Sequence, residues 1–461
     1  MSENVASKKA SFPGTFWAAN TIELFERAAF YAVASFVVIY FHETLGMSPS
    51  MSTFLNGSLL WGLVYFLPIL SGTLADKYGF KRSLMVAFVL IGAGYFVLGT
   101  VQQFWPGMVG TDTALAIDYT IPVVLGIILI GIGGSIVKPC IAGTVQRTAG
   151  TNATLAFGIF YMVINVGSMT GRGVSYFVRT SMGIPAIFTF VATSFALIGL
   201  LVVIFIYKEP EYVSDGKKDG QQVAKKTLKQ ALAGIFLVLT DIKFVFFLVV
   251  IGFYWFIYVQ IYNLIPLFLR HLDPKAPVEI YTLANPVMIV LFQLLITKLT
   301  KAWTPIKAIM AGIIVTTLGM LVNVLPILLY PSDYARKITV LGILFPIATI
   351  FVLISFASMA IGEMLLASRQ FQYIGAIAPK GQEGLYLGYA NLPMAFGTLV
   401  GAPIGGIMYE HFIEAPAKLG QAIDPISMWL LVAGMGVVSL VGVAFYNNFM
   451  KKAILAKEEK K

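Results

Sequence analysis

Three ionisable residues crowd one short run near the start of the chain, Glu23-Leu-Phe-Glu26-Arg27-Ala-Ala-Phe30-Tyr31. The stretch around them, from about Phe16 to Tyr40, is otherwise apolar. A charge at the centre of a membrane-spanning helix costs at least about 2.5–3.5 kcal/mol on insertion scales. These groups therefore need one another, other charges, or water. On a helix, Glu23 and Glu26 share a face at i and i+3, and their mutual repulsion suits the pair to exchanging a proton. Two further charges stand in equally apolar surroundings: Lys138, in Gly133-Gly134-Ser-Ile-Val-Lys138-Pro139, and Glu363, in Ile361-Gly362-Glu363-Met364. Such a set can take up and release a proton and hold a charged small molecule. It makes or breaks no covalent bond: no nucleophile–base set can be assembled, no His/Cys/Asp group has metal-ligand spacing, and no GxxxxGKS phosphate loop occurs. The reading is a non-enzyme with no cofactor and no ATP of its own, drawing energy from a proton gradient.

The elements that must position these residues are membrane helices. The chain has 461 residues, 58% of them hydrophobic and 12% charged, where a soluble protein carries roughly 25% charged residues. Apolar runs of helical length exclude a porin-type barrel, and the net charge of +10 needs no nucleic acid, because basic residues collect on cytoplasmic loops. The lone cysteine, Cys140, excludes an intrachain disulfide. The first apolar segment is too long and too charged for a signal peptide and is expected to be retained. The pattern predicts an all-α membrane protein of twelve transmembrane helices, near 14–40, 52–76, 82–104, 119–148, 153–178, 184–207, 243–269, 278–300, 304–330, 337–374, 383–410 and 425–450. Placing both termini in the cytoplasm puts the loops richest in Lys and Arg there too. The polar stretch 208–235 divides the chain into two six-helix bundles, 1–207 and 236–461, an organisation that suggests a transporter with its site between the halves.

At a helical rise of ~1.5 Å per residue, all five charges lie between about 14 and 20 Å from the cytoplasmic ends of their spans. Tyr65, Asn165 and Asn285 fall in or near the same layer, and together they suggest a polar cavity. Arg172, in Gly171-Arg172-Gly173, stands higher, in the outer half of span five. It is a candidate anion site, or a gate that closes the outward mouth by pairing with a carboxylate. His42, His271 and His411 fall at or beyond outward helix ends, which suits them poorly to a midplane relay. Arg369 lies near a cytoplasmic end, where snorkelling explains it.

Gly72-Thr-Leu-Ala-Asp76-Lys-Tyr-Gly79-Phe-Lys81-Arg82, between spans two and three, resembles the cytoplasmic-loop signature of the major facilitator superfamily. Glycine allows the tight turn, Asp76 can cap or pair with a neighbouring helix end, and the basic pair anchors at the anionic surface. Within that superfamily, the opening run is similar to the ExxER motif of the proton-dependent oligopeptide transporters. Further matches in order are Lys138-Pro139, Phe157-Gly-Ile-Phe160-Tyr161-Met-Val-Ile-Asn165-Val-Gly167, Asn285-Pro286 and Gly362-Glu363. The resemblance implies that Glu23, Glu26 and Arg27 couple protonation to substrate binding. It further implies that Arg27 and Lys138 receive the peptide carboxylate and that Glu363 receives the amino end and pairs with Lys138 when the cytoplasmic side closes. Tyr31, Tyr65, Asn165 and Asn285 would line the site, and Gly72, Asp76, Gly79 and Arg82 would serve the loop motif and gating.

The chain also departs from that family. The arginine expected seven residues after the ExxER arginine is Ala34, and its glutamate partner on span seven is Val259. Losing both together points to a rebuilt outward gate, with Arg172 a possible substitute. Phe30-Tyr31, Cys140 and Ala367-Ser368 are further differences. The expected function is a proton-coupled symporter importing di- or tripeptides or similar small zwitterions, acting as a monomer in a bacterial inner membrane. One alternative is a carrier of another amphiphilic or anionic metabolite, an exporter included; a second, from a different class, is a non-transporting receptor, for which no large soluble domain is present.

Overall fold

The computed structural model describes residues 12–104, 116–210, 233–234, 238–340, 342–378, 386–387 and 389–458. Most of the linker expected at 208–235 lies outside the described residues. In chain order the helices are α1 (Gly14–Ala34), α2 (Val37–Thr44), α3 (Pro49–Phe66), α4 (Pro68–Tyr78), α5 (Phe80–Phe104), α6 (Ala116–Thr148), α7 (Ala153–Met182) and α8 (Ile184–Phe205). They continue as α9 (Ile242–Leu272), α10 (Val278–Leu299), α11 (Pro305–Leu329), α12 (Ile347–Ile377), α13 (Leu392–Lys418) and α14 (Pro425–Phe449). Among the described residues, nine helices are long and apolar enough to cross a membrane, and eleven spans result if α1–α2 and α3–α4, each bent by 43°, count as one apiece. The expected fifth span is α7, a helix of 30 residues.

Several helix starts are set by local chemistry. Ser48 accepts the Met51 N–H ahead of Pro49, Asp241 accepts the Phe244 N–H ahead of α9, and Thr304 accepts the Lys307 N–H ahead of Pro305. Each supplies an acceptor for one of the N–H donors that a helix start leaves unpaired. Two expected boundaries move. The tenth span begins at Ile347, not 337, because residues before it form an antiparallel hairpin of β1 (Lys337–Val340) and β2 (Ile343–Pro346), turned at Gly342 with φ 80°. This short sheet departs from an all-α description, and hydropathy did not separate it from the helix because Ile338, Val340, Ile343, Leu344 and Phe345 outweigh Lys337 and Thr339. Lys337 anchors the hairpin to Asp273 at 3.0 Å. The expected start of the eleventh span at 383 lies outside the described residues, and the helix that continues the span begins at Leu392, next to Pro393.

The packing repeats itself after six spans. In the first set α1 packs on α7 and α8, α5 on α6 and α8, and α4 on α6. In the second, α9 packs on α13 and α14, α11 on α12 and α14, and α10 on α12. The two sets meet along α3–α13 and α7–α10, seams that exchange under the same six-span shift.

Small residues let the backbones approach, as in other membrane bundles. Gly397, Gly401 and Gly405 form a stripe on α13 where an added Cβ would meet α9, at 2.5 Å from Trp255 Cβ, 3.0 Å from the Phe256 Cα and 2.2 Å from Gln260 Oε1. Gly167 and Gly171 do the same on α7: a Cβ at Gly171 would lie 2.2 Å from the Ala28 carbonyl oxygen, and one at Gly167 2.7 Å from that of Leu24. This pair presses α7 onto the turn of α1 that carries Glu23, Glu26 and Arg27. We therefore expect Gly171→Ala to cost about 1–3 kcal/mol of stability or more, as overpacking does. Gly173→Ala, whose Cβ would meet nothing within 4 Å, should be near neutral. Thermal unfolding of the two variants in detergent is the check, and equal melting temperatures would contradict the packing argument.

Candidate functional site

The α1 cluster is buried, with Glu23 0%, Glu26 3% and Arg27 2% exposed. The Glu26 carboxylate grips Arg27 in a fork, accepting from Nε and, at 2.6 Å, from Nη2. Glu23 lies 3.5 Å from Arg27 Nε, and neither of its oxygens has a hydrogen-bond partner. The apolar side of the guanidinium is covered by Phe30, whose ring centroid is 5.0 Å from Cζ.

Lys138, on α6, places its ammonium 4.5 Å from the centre of the Tyr65 ring. Its neighbour Pro139 packs against Gly72 of α4, where an added Cβ would lie 3.4 Å from Pro139 Cβ. Glu363 stands in the other set of helices. Tyr258 donates to its Oε2 at 2.7 Å and Asn285 Nδ2 at 3.4 Å. No Lys, Arg or His nitrogen lies within 4.0 Å of Glu363 among the described residues. The structure thus brings Glu23, Glu26 and Arg27 together, leaves Lys138 on Tyr65, and sets Glu363 apart from all of them.

Between the sets lies a cavity of about 50 Å³ bounded by Tyr31, Asn165, Ser168, Tyr258, Asn285 and Glu363, among others. Asn165 uses its amide on its own helix, donating to the Tyr161 carbonyl at 3.0 Å. A larger space of about 530 Å³ between α3, α9 and α13 is lined almost wholly by apolar side chains and lacks the polar groups that a charged cargo requires.

Arg172 is fully buried but does not pair with a carboxylate, as its gating role would have required. It donates to Ser168 on its own helix, to Thr282 Oγ1 at 3.1 Å and to Tyr262 OH at 3.1 Å, and its Cζ lies 4.6 Å from the centre of the Tyr31 ring. Burial without a carboxylate follows from its place: α1 fills the Gly171 face, and the groups across the seam are hydroxyls.

Carboxylate pairs do join the two sets, farther out, at the end of the bundle opposite the chain termini. Arg179 of α7 donates to Glu279 of α10 at 2.8 Å, and Glu279 is 0% exposed. Arg270 of α9 forks onto Glu43 of α2. His42 of α2 meets Glu414 of α13 at 3.1 Å, and Ser50 of α3 donates to Glu410 at 3.0 Å. Apart from His42, named above only for its outward position, these residues are not singled out by the sequence because each sits near a helix end, where a polar group is ordinary; the one usable signal is opposite charges at matching ends of neighbouring spans.

At the terminal end the loop motif is built as follows. Asp76 accepts from Arg147 at 3.2 Å, and the Arg147 guanidinium lies 4.1 Å from the centre of the Phe80 ring. Gly79 turns the chain at φ 90°, and the Glu209 carboxylate accepts the next two N–H groups, of Phe80 at 2.7 Å and Lys81 at 2.9 Å. Glu209 therefore caps the start of α5. Arg82 is exposed. No group of three or more His, Cys, Asp or Glu residues that could hold a metal occurs among the described residues.

Helices of this length and apolarity define a multi-pass α-helical membrane protein with charged residues enclosed between two sets of spans. Residues 21–332 match the Major Facilitator Superfamily, and the chain belongs to that family. The resemblance to its oligopeptide-transporter branch is borne out by relatives and neighbours that carry those names. Dipeptide and tripeptide permease A of Citrobacter koseri is 28% identical over 244 residues, 50% of this chain and 44% of that one. The chain thus matches under half the length of such curated relatives. A peptide transporter POT solved in complex with sulfate superposes with a TM-score of 0.68 at 17% identity, over 95% of each chain. A variant of the nucleoside transporter NupG superposes at 0.72 and 13% identity, over 94% of this chain and 99% of that one. At these identities the likeness concerns the fold.

Proposed function

We propose that this protein is a proton-coupled symporter that imports di- or tripeptides, or similarly small zwitterions, by alternating access. The moving bodies are the halves 1–207 and 236–461, tied by the linker 208–235, with both termini cytoplasmic in a bacterial inner membrane and one chain sufficing for transport. The single observation that carries this reading is the carboxylate–guanidinium cluster buried on α1, with Lys138 on α6 and Glu363 across the seam. Buried pairs contribute little net stability, and intramembrane charges usually mark a pathway.

The order of events follows from the bonds. Glu23 accepts no hydrogen bond, so a proton arriving there costs it none, whereas at Glu26 it would weaken the two bonds from Arg27. Neutralising Glu23 removes one of the two charges facing Arg27 and loosens the guanidinium toward a cargo carboxylate shared with Lys138. Glu363, Tyr31, Tyr65, Asn165 and Asn285 hold the remainder of the cargo. The ion pairs across the far end seal the outward mouth, and Asp76, Arg147 and Glu209 brace the cytoplasmic loop that must shift when the halves rock. The departure at Ala34 and Val259 is answered on the same two spans: Glu43 and Arg270 re-create a link between spans one and seven nearer the surface, with the signs exchanged.

Uptake of labelled alanyl-alanine into proteoliposomes, with and without an imposed inward proton gradient, tests the reading. Accumulation that needs the gradient is expected, and gradient-independent equilibration or no uptake of any small peptide would reject it.

A further inference from the structure

Arg172 has no counter-ion. Its partners are the Ser168 side chain and carbonyl, Thr282 Oγ1 and Tyr262 OH, with the Tyr31 ring beneath it, and no carboxylate oxygen lies within 4.0 Å of it among the described residues. A guanidinium at 0% exposure with only neutral partners is expensive to bury, and inside a membrane it calls for an anion. Three of the groups that touch it, Tyr31, Ser168 and Tyr262, also line the cavity that holds Glu363. The cation therefore lies directly behind that wall of the cavity.

Charge in the polar layer points the same way. Glu23, Glu26 and Glu363 against Arg27 and Lys138 leave one net negative charge, and Arg172 cancels it. With one proton bound the layer is positive by one, which a cargo of net charge −1 would neutralise.

We infer that Arg172 is an acid-recognising subsite, so that the preferred cargo is a small zwitterion with one additional carboxylate, an acidic dipeptide above a neutral one. This rests on the transport reading above and adds the cargo's charge to it. The extra carboxylate takes up Arg172 directly or through the Tyr262 and Ser168 hydroxyls, while the cargo ammonium goes to Glu363.

The test compares isosteric pairs: alanyl-glutamate against alanyl-glutamine, and free glutamate against glutamine, by binding to the purified full-length protein. A charge-assisted hydrogen bond corresponds to roughly tenfold to hundredfold in affinity, so the wild type should bind the acid of each pair at least about tenfold tighter. Arg172→Gln should erase the difference by weakening the acid alone, and Arg172→Lys should retain part of it. Equal binding of acid and amide by the wild type overturns the inference without any variant. Equal loss of both partners in Arg172→Gln also overturns it, marking Arg172 as a latch between α7, α9 and α10. If alanyl-glutamine is carried with protons but no acid is preferred, peptide transport stands and the subsite falls. If only free glutamate binds, and does so through Arg172, the peptide reading falls and the subsite stands. Binding of none of the four overturns both.

Discussion

Replacing Glu26 with glutamine should abolish gradient-driven uptake, by about a hundredfold or more, while the protein remains folded. The fork from Glu26 to Arg27 is the strongest arrangement in the α1 cluster. Removing one partner of a buried pair typically costs about 3–5 kcal/mol, because the other charge is left uncompensated. In Glu26→Gln the guanidinium is left facing Glu23 alone, so protonating Glu23 would strip Arg27 of its last counter-charge. The protonation step that frees Arg27 for the cargo then carries that penalty itself, so the gradient no longer drives it. Lys138→Ala should fail by a different route, through loss of cargo binding, and should leave the α1 ion pairs intact. Parallel measurement of uptake under a proton gradient, of equilibrium cargo exchange and of monodispersity separates these outcomes. Full gradient-driven uptake by both variants would refute the mechanism.

Breaking the Arg179–Glu279 pair should have an effect of similar size on a different equilibrium. Glu279 is 0% exposed and its second oxygen has no partner, so Arg179→Ala strands a buried carboxylate. The penalty of about 3–5 kcal/mol falls only on the conformation closed at that end, which favours the outward-open one by more than about a hundredfold. Ser35 offers a reporter: it is 1% exposed and meets Thr282 across the seam at 2.8 Å. The native Cys140 is fully buried and adds little background. In a Ser35→Cys background, an impermeant maleimide applied from outside should label Arg179→Ala much faster than the parent. Adding Glu279→Gln removes the stranded charge and should return labelling toward the parent rate. No increase in Arg179→Ala would show that this contact does not hold the mouth shut.

The spans were legible in the sequence because hydropathy and Lys/Arg placement are local properties. Their polar interior was legible for a related reason: Glu23, Glu26, Arg27, Lys138 and Glu363 are conspicuous in apolar runs. Partnership was not legible. Counting residues along helices puts five charges at one depth, but depth says nothing of azimuth, and Glu363 faces Tyr258 and Asn285 instead of a cation. The same gap explains Arg172, whose hydroxyl partners lie on three different helices. Hydropathy also misjudged 337–346, since its Ile, Val, Leu and Phe give most of the hairpin the apolarity of a helix, and the turn at Gly342, with Lys337 and Pro346 at the paired ends, was the local signal against one.

The cavity between the sets holds about 50 Å³, room for one or two water molecules at about 30 Å³ each. Even a dipeptide is several times larger. A cargo of the proposed kind would fit only in a form in which Tyr31, Tyr258 and Tyr262 stand farther apart. The measured affinity is then the intrinsic affinity multiplied by the fraction of molecules caught in that widened form. If the widened form is about one molecule in a hundred, binding is discounted about a hundredfold. For a carrier this discount is useful. Under the proposed proton coupling, recoil of the walls toward their resting spacing would help expel the passenger once its proton has left, so weak retention would become a condition of rapid delivery.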